Sequence, residues 1–115
     1  MSDAMRVASR GRRGAVVGRR LPWTGSNFEA LRSAHWQVHI YGPTDARAAV
    51  RFTRRLPVEF YVFHSVGRTA LQPGRYYLVR PDGFVAAEAE PTEAASHFRS
   101  QLTSWGVNPD AVKAR

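Results

Sequence analysis

The sequence predicts an α/β fold, a mixed sheet of about four strands with flanking helices. Three observations carry this. Strand-like and helix-like segments follow the order β–α–β–loop–β–β–α between residues 36 and 106. The strand–helix–strand portion calls for a parallel pair. The link Pro81-Asp82-Gly83 between the last two strands is so short that they must be antiparallel neighbours.

Each element has its own signal. "WQVHIYG", Trp36 to Gly42, alternates Trp36, Val38 and Ile40 with Gln37, His39 and Tyr41, and Gly42-Pro43 ends it. Thr44 is the expected cap of a helix from Asp45 to about Arg54. Ala46, Ala49, Val50 and Phe52 or Thr53 form its buried side, with Arg47, Arg51 and Arg54 outside. "LPVEFYVFH", Leu56 to His64, is β-branched and aromatic on both faces, as a strand covered on both sides would be. "SVGRTALQPG" is a connection. "RYYLVRP" and "GFVAAEAE" are two further strands. The last helix starts with Thr92 as cap or Pro91 at its first position. Ala95, Phe98, Leu102 and Trp105 make its core stripe, and Gly106 closes it in a left-handed conformation. Before the first strand, Ser26 or Asn27 caps a short helix, "FEALRSA", and "AVV" (Ala15–Val17) is a candidate short strand. The β–α–β–loop–β–β–α order is the core of a thioredoxin-like sandwich, here without a CxxC motif.

Composition narrows the function. A chain of 115 residues suits one domain. The expected division is a basic flexible arm at 1–17, one domain at 18–107 and a tail at 108–115. The absence of cysteine removes disulfides, thiolate nucleophiles and cysteine zinc sites, and it fits a cytoplasmic location. No apolar run is long enough to span a membrane, and no apolar segment follows the basic N-terminus as a secretory signal would require. Most of the net charge of +8 falls in residues 1–20, where Arg6, Arg10, Arg12, Arg13, Arg19 and Arg20 face Asp3 alone. Such an arm suits phosphate backbones, but it has no interleaved aromatics for stacking bases. Nucleic-acid binding is therefore an alternative and not the leading reading.

In "LVRPDGFVA", Pro81 suits the second position of a type I turn, Asp82 the third, and Gly83 supplies positive φ. These three residues form a structural turn. Arg80, at the strand end, keeps a free side chain as a candidate contact.

The longer segment "YYLVRPDGFVAAEA" resembles the end of the FAD-dependent aromatic hydroxylases, the phenol hydroxylase-like and polyketide hydroxylase-like flavoprotein monooxygenases. "GRRLPW" is similar to the lead-in of their C-terminal thioredoxin-like domain. "WQVHIYG" and "LPVEFYVFH" are similar to its first two core strands, and "HFRSQLTSWG" to its final helix. The resemblance covers about residues 16–107. Trp23 stands where the family has a His, and Ala87-Glu88 where it has Trp-Arg. The FAD and substrate-binding body of such enzymes has no counterpart in the chain, and no GxGxxG precedes a βαβ unit. The resemblance implies a non-catalytic domain that self-associates as a dimer or docks onto a flavin monooxygenase body. It implies no flavin, NADPH or metal held by this chain, and no catalytic or cofactor-binding residue in it. FAD and NADPH would belong to an associated enzyme.

Other chemistry is weaker. His35 and His39 lie four apart, which on a strand is roughly 13 Å and too far for one metal ion. His64-Ser65 lacks an elbow and a third partner. His97 is expected at a rim. Glu88 and Glu90 share a strand face and are expected at a solvated edge, and Arg51, Arg54 and Arg55 on a solvated helix face. A small ligand-binding or enzymatic domain would need a pocket between helix and sheet, lined by tyrosines and His39 or His64. The aromatics outnumber what three helices can cover. Trp23, Trp36, Tyr61 and Tyr77 are therefore the candidate partner contacts.

Overall fold

The computed structural model describes residues 14–110. A 3-10 helix at Phe28–Ser33 leads to strand β1 (Gln37–Tyr41), helix α1 (Ala46–Arg55) and strand β2 (Glu59–Phe63). Strands β3 (Tyr76–Val79) and β4 (Val85–Ala89) and helix α2 (Pro91–Ser104) complete the chain. The sheet order is β2-β1-β3-β4. β1 pairs with β2 in parallel, and the β1–β3 and β3–β4 pairs are antiparallel. This is the expected α/β architecture with a mixed four-stranded sheet and flanking helices, and the order is compatible with a thioredoxin-like sandwich. No described helix is long and apolar enough to cross a membrane.

Both helices pack on one sheet face. Phe52 of α1 and Ala94, Ala95, Phe98 and Leu102 of α2 meet Val38, Ile40, Tyr76, Leu78, Ala87 and Ala89. The alanines of β4 leave room for α2. Rings of Phe52, Phe60, Tyr76 and Phe98 meet at tilted and edge-on angles. The opposite face has no α-helix among the described residues. Val16, Leu21 and Leu71 cover Tyr41, Tyr77, Val79 and Val85 there, with Leu31, Val66 and Ala70 around them.

The Pro81-Asp82-Gly83 link closes β3 onto β4. Gly83 has φ +89°, and its N–H donates to Arg80 O at 2.9 Å. A register shift between Leu78 and Val79 absorbs the extra residue. The lead-in segment lies along the start of β4. Gly18 N donates to Val85 O, Val85 N to Arg19 O, and Leu21 N to Gly83 O.

Several expectations need correction. Ala15–Val17 forms a turn instead of a strand, and Val16 is buried although it falls in the expected arm. Most of the arm, residues 1–13, and the tail end lie outside the described residues. Asp45, not Thr44, caps α1, its carboxylate accepting from Arg47 N at 2.9 Å. Val50 and Ala46 are exposed, because α1 touches the core along the narrow stripe of Ala49 and Phe52. Pro91 opens α2, and Gly106 closes it at φ +76°. Trp105 lies beyond the helix end and is exposed, so the stripe stops at Leu102 and Ala94 is its fourth member. β2 is shorter than expected and is an edge strand, half-buried along most of its length. β1 does not alternate between core and solvent: all five of its residues are buried.

Candidate functional site

The polar half of β1 explains its complete burial. Gln37, His39 and Tyr41 point to the face without α-helices and enter one continuous chain of hydrogen bonds. Asn27 Nδ2 donates to Tyr41 OH at 3.0 Å and to Pro22 O, while its Oδ1 accepts from Thr24 N. Tyr41 OH lies 2.8 Å from His39 Nδ1, and His39 Nε2 lies 2.7 Å from Gln37 Oε1. Gln37 Nε2 donates to Ala30 O at 2.6 Å and to Ser33 Oγ at 2.7 Å. Ser33 Oγ donates to Glu59 Oε1 at 2.7 Å.

Backbone groups fix the proton positions. Pro22 O and Ala30 O can only accept, so both amide orientations are set. Gln37 Oε1 must then accept from His39 Nε2. His39 has 0% exposure, and burial pushes its pKa down from 6.5 to about 3, so the ring is neutral. Its Nδ1 is therefore the acceptor and Tyr41 OH the donor. Burial also pushes the Tyr41 hydroxyl far above its ordinary value, keeping it a donor.

The chain surfaces at the outer edge of the sheet. Burial pushes the Glu59 carboxyl up, but hydrogen bonds from Ser33, His35 and Tyr61 outweigh that and hold it below the ordinary value. His35 Nδ1 donates to Oε2 at 2.6 Å, and Tyr61 OH to Oε1 at 3.0 Å. Beside this carboxylate runs an open groove between the 3-10 helix and β2. Ala30 and Ser33 line one side, and the stacked rings of Tyr61 and Phe63 the other.

β2 itself is bare on its outer side. Phe63 O accepts from Gly42 N, so residues 59, 61 and 63 direct their backbone groups toward β1. Phe60 and Val62 direct theirs outward, where no described residue meets them. Val62 is 51% exposed. No Lys, Pro or bulge interrupts Glu59–Phe63, the usual devices that blunt an edge.

The candidate contacts separate. Tyr61 lies in this groove. Trp23, at 64% exposure, pairs with exposed Phe28 at 6.4 Å in the adjoining segment. Trp36 is half-buried, edge-on to Trp105 on the helix side. Tyr77 is not a surface contact. It is fully buried, its hydroxyl accepts from Gln72 N at 2.6 Å, and burial pushes its pKa up to about 12. Arg80 is not free either. It pairs with Asp82 and lies 4.4 Å over the Trp105 ring, tying the hairpin to the end of α2. Pro81, Asp82 and Gly83 sit at that turn.

Glu88 is not at a solvated edge. Its side chain is 4% exposed and bonds Arg75 Nε at 2.6 Å, while Glu90 takes another nitrogen of the same guanidinium. His35 and His39 have separate partners, and His97 is exposed. Ser65 Oγ accepts from Gly67 N. The roles of Asn27, Ser33 and Glu59 had no motif to announce them. Only the period-2 placement of Gln37, His39 and Tyr41 on one face hinted at a network. Compared with protein-family models and with curated proteins, the chain matches none.

Proposed function

We propose that this chain is a non-catalytic association domain, akin to the C-terminal thioredoxin-like domain of FAD-dependent aromatic hydroxylases. It joins a second copy of itself, or docks onto a flavoprotein body, through the outer edge of β2. FAD and NADPH belong to that body in this reading. The observation that carries it is the bare backbone of Phe60 and Val62 beside the aromatic groove. An unpaired edge of this kind is a template for another strand. Two copies satisfy each other when β2 pairs antiparallel about Tyr61. Phe60 then faces Val62 of the second copy, every outward N–H and C=O gains a partner, and exposed Val62 is covered by an aromatic ring.

The lack of cysteine allows a direct test. Tyr61→Cys places the introduced thiols in a non-hydrogen-bonded pair about 4.5 Å apart at the Cα atoms, within disulfide reach. Mild oxidation is expected to yield a covalent dimer with Tyr61→Cys and much less with Phe60→Cys. Light scattering should show a dimer of the unmodified chain, or a complex when a flavoprotein body is supplied. A chain that stays monomeric and captures no such body overturns the association reading. Retained flavin, or NADPH oxidation with a phenolic substrate, overturns its non-catalytic part. A ligand pocket built on His39 is disfavoured, because that ring has no exposed surface and both its nitrogens are engaged.

A further inference from the structure

Of the eleven arginines among the described residues, four hold a carboxylate there and seven do not. Arg32, Arg75, Arg80 and Arg99 each hold a carboxylate. Of the seven, Arg19, Arg20 and Arg68 lie apart in the lead-in and in the β2–β3 connection, whereas Arg47, Arg51, Arg54 and Arg55 all lie on α1, which contains no acidic residue. Arg51 and Arg55 are one turn apart and share a face, about 6 Å from each other along the axis. They line a cleft of about 220 Å³ between α1 and α2. The rest of its lining is Ala48 and Phe52 from α1, with Pro91, Thr92 and Ala95 from α2. Two acidic residues at the start of α2 are directed elsewhere. Glu90 reaches to Arg75, and Glu93 lines a different depression together with Ser96 and His97.

We propose that this cleft binds a small organic anion. Its carboxylate or phosphate group pairs with Arg51 and Arg55, and its apolar part lies on Phe52, Ala48 and Ala95. Two adjacent guanidiniums without a counter-ion among the described residues suit one oxyanion in forked geometry. The apolar floor selects against a bare inorganic ion. The size is below the roughly 300–1,000 Å³ of drug-sized pockets, so a single ring or a short chain fills it. The proposal is independent of the β2 edge.

The test is a titration of the isotope-labelled full chain, followed by amide NMR, with phenyl phosphate, benzoate and inorganic phosphate. Saturable shifts centred on Ala48, Arg51, Phe52, Arg55 and Ala95 are expected with phenyl phosphate or benzoate, and the stronger of the two identifies the oxyanion. Inorganic phosphate should bind about tenfold more weakly, lacking the apolar contact. Arg51→Ala with Arg55→Ala should weaken binding by about tenfold or more, and both sites are exposed, so the fold is kept. Arg51→Lys with Arg55→Lys keeps the charge and should recover part of the affinity. Absence of saturable shifts, equal binding of inorganic phosphate, or indifference to the double alanine variant overturns the proposal. So does a single-stranded oligonucleotide that binds through these arginines when phenyl phosphate does not.

Discussion

His39 is neutral because burial disfavours its charged form, and a proton on Nδ1 would break the hydrogen bond that Nδ1 accepts from Tyr41 OH. In the unfolded chain it titrates near 6.5, and in the folded chain near 3. The unfolded state therefore takes up the proton first. Stability is complete above about pH 6.5 and falls as the pH drops toward 3, by up to about 1.4 kcal/mol per pH unit. Urea unfolding between pH 7 and pH 5 should show the midpoint falling with acid. His39→Gln keeps a donor and an acceptor in place. It should lower stability at pH 7 but flatten that slope; an unchanged slope would remove His39 as its cause. On a strand, His39 was already too far from His35 to share a metal ion with it. Its real partners, Tyr41 and Gln37, are two residues away on the same strand face and were visible as such. Asn27 and Ser33 were not, because they arrive from a different segment.

Among the elements, the β3–β4 hairpin with α2 behaves as one unit. Arg75 holds Glu88 and Glu90, while Arg80 joins the turn to Trp105. The Glu88 side chain is nearly sealed from water, and its Oε1 has no hydrogen-bond partner among the described residues. Arg75→Met leaves a buried carboxylate without a counter-charge and should cost about 3–5 kcal/mol in urea unfolding. Arg75→Met with Glu88→Leu should regain most of that loss; equal losses in both variants would mean that packing, not charge, is at stake. The hairpin was legible because Pro81, Asp82 and Gly83 each have a turn reason. The ion pair was not, since Arg75 meets Glu88 only after the register shift near Leu78 and Val79 is known. The cap of α1 failed for a similar reason. Thr44 and Asp45 both suit a cap, and sequence cannot choose between neighbours that differ by one residue.

At the scale of the whole molecule, the parallel β1–β2 pair and the antiparallel β3–β4 pair follow from connection lengths and were legible, whereas the β1–β3 pairing that joins them was not. Which strand is an edge was less legible. "LPVEFYVFH" is apolar enough to be central, and its exposure comes from having no later strand to cover it. The start of β4 is covered by residues 18–21, whereas β2 has no such cover among the described residues. Val62→Lys places a charge on the bare edge at an already exposed position. It should keep the fold, read as an unchanged far-UV circular dichroism spectrum, and shift light scattering from dimer to monomer. A dimer that survives this change would move the association surface away from β2.

The hydrogen bonds from Asn27 to Glu59 all point the same way. Amide, phenol, imidazole, amide and hydroxyl each give a hydrogen to the next group, and the last gives its hydrogen to the carboxylate. A row of aligned donors ending on an anion acts as a helix N-terminus assembled from side chains, and each bond polarises its neighbour. The charge beside the groove is therefore set partly from inside the protein. Asn27 touches neither Tyr61 nor Glu59, yet its amide stands at the head of the relay whose last hydroxyl bonds that carboxylate.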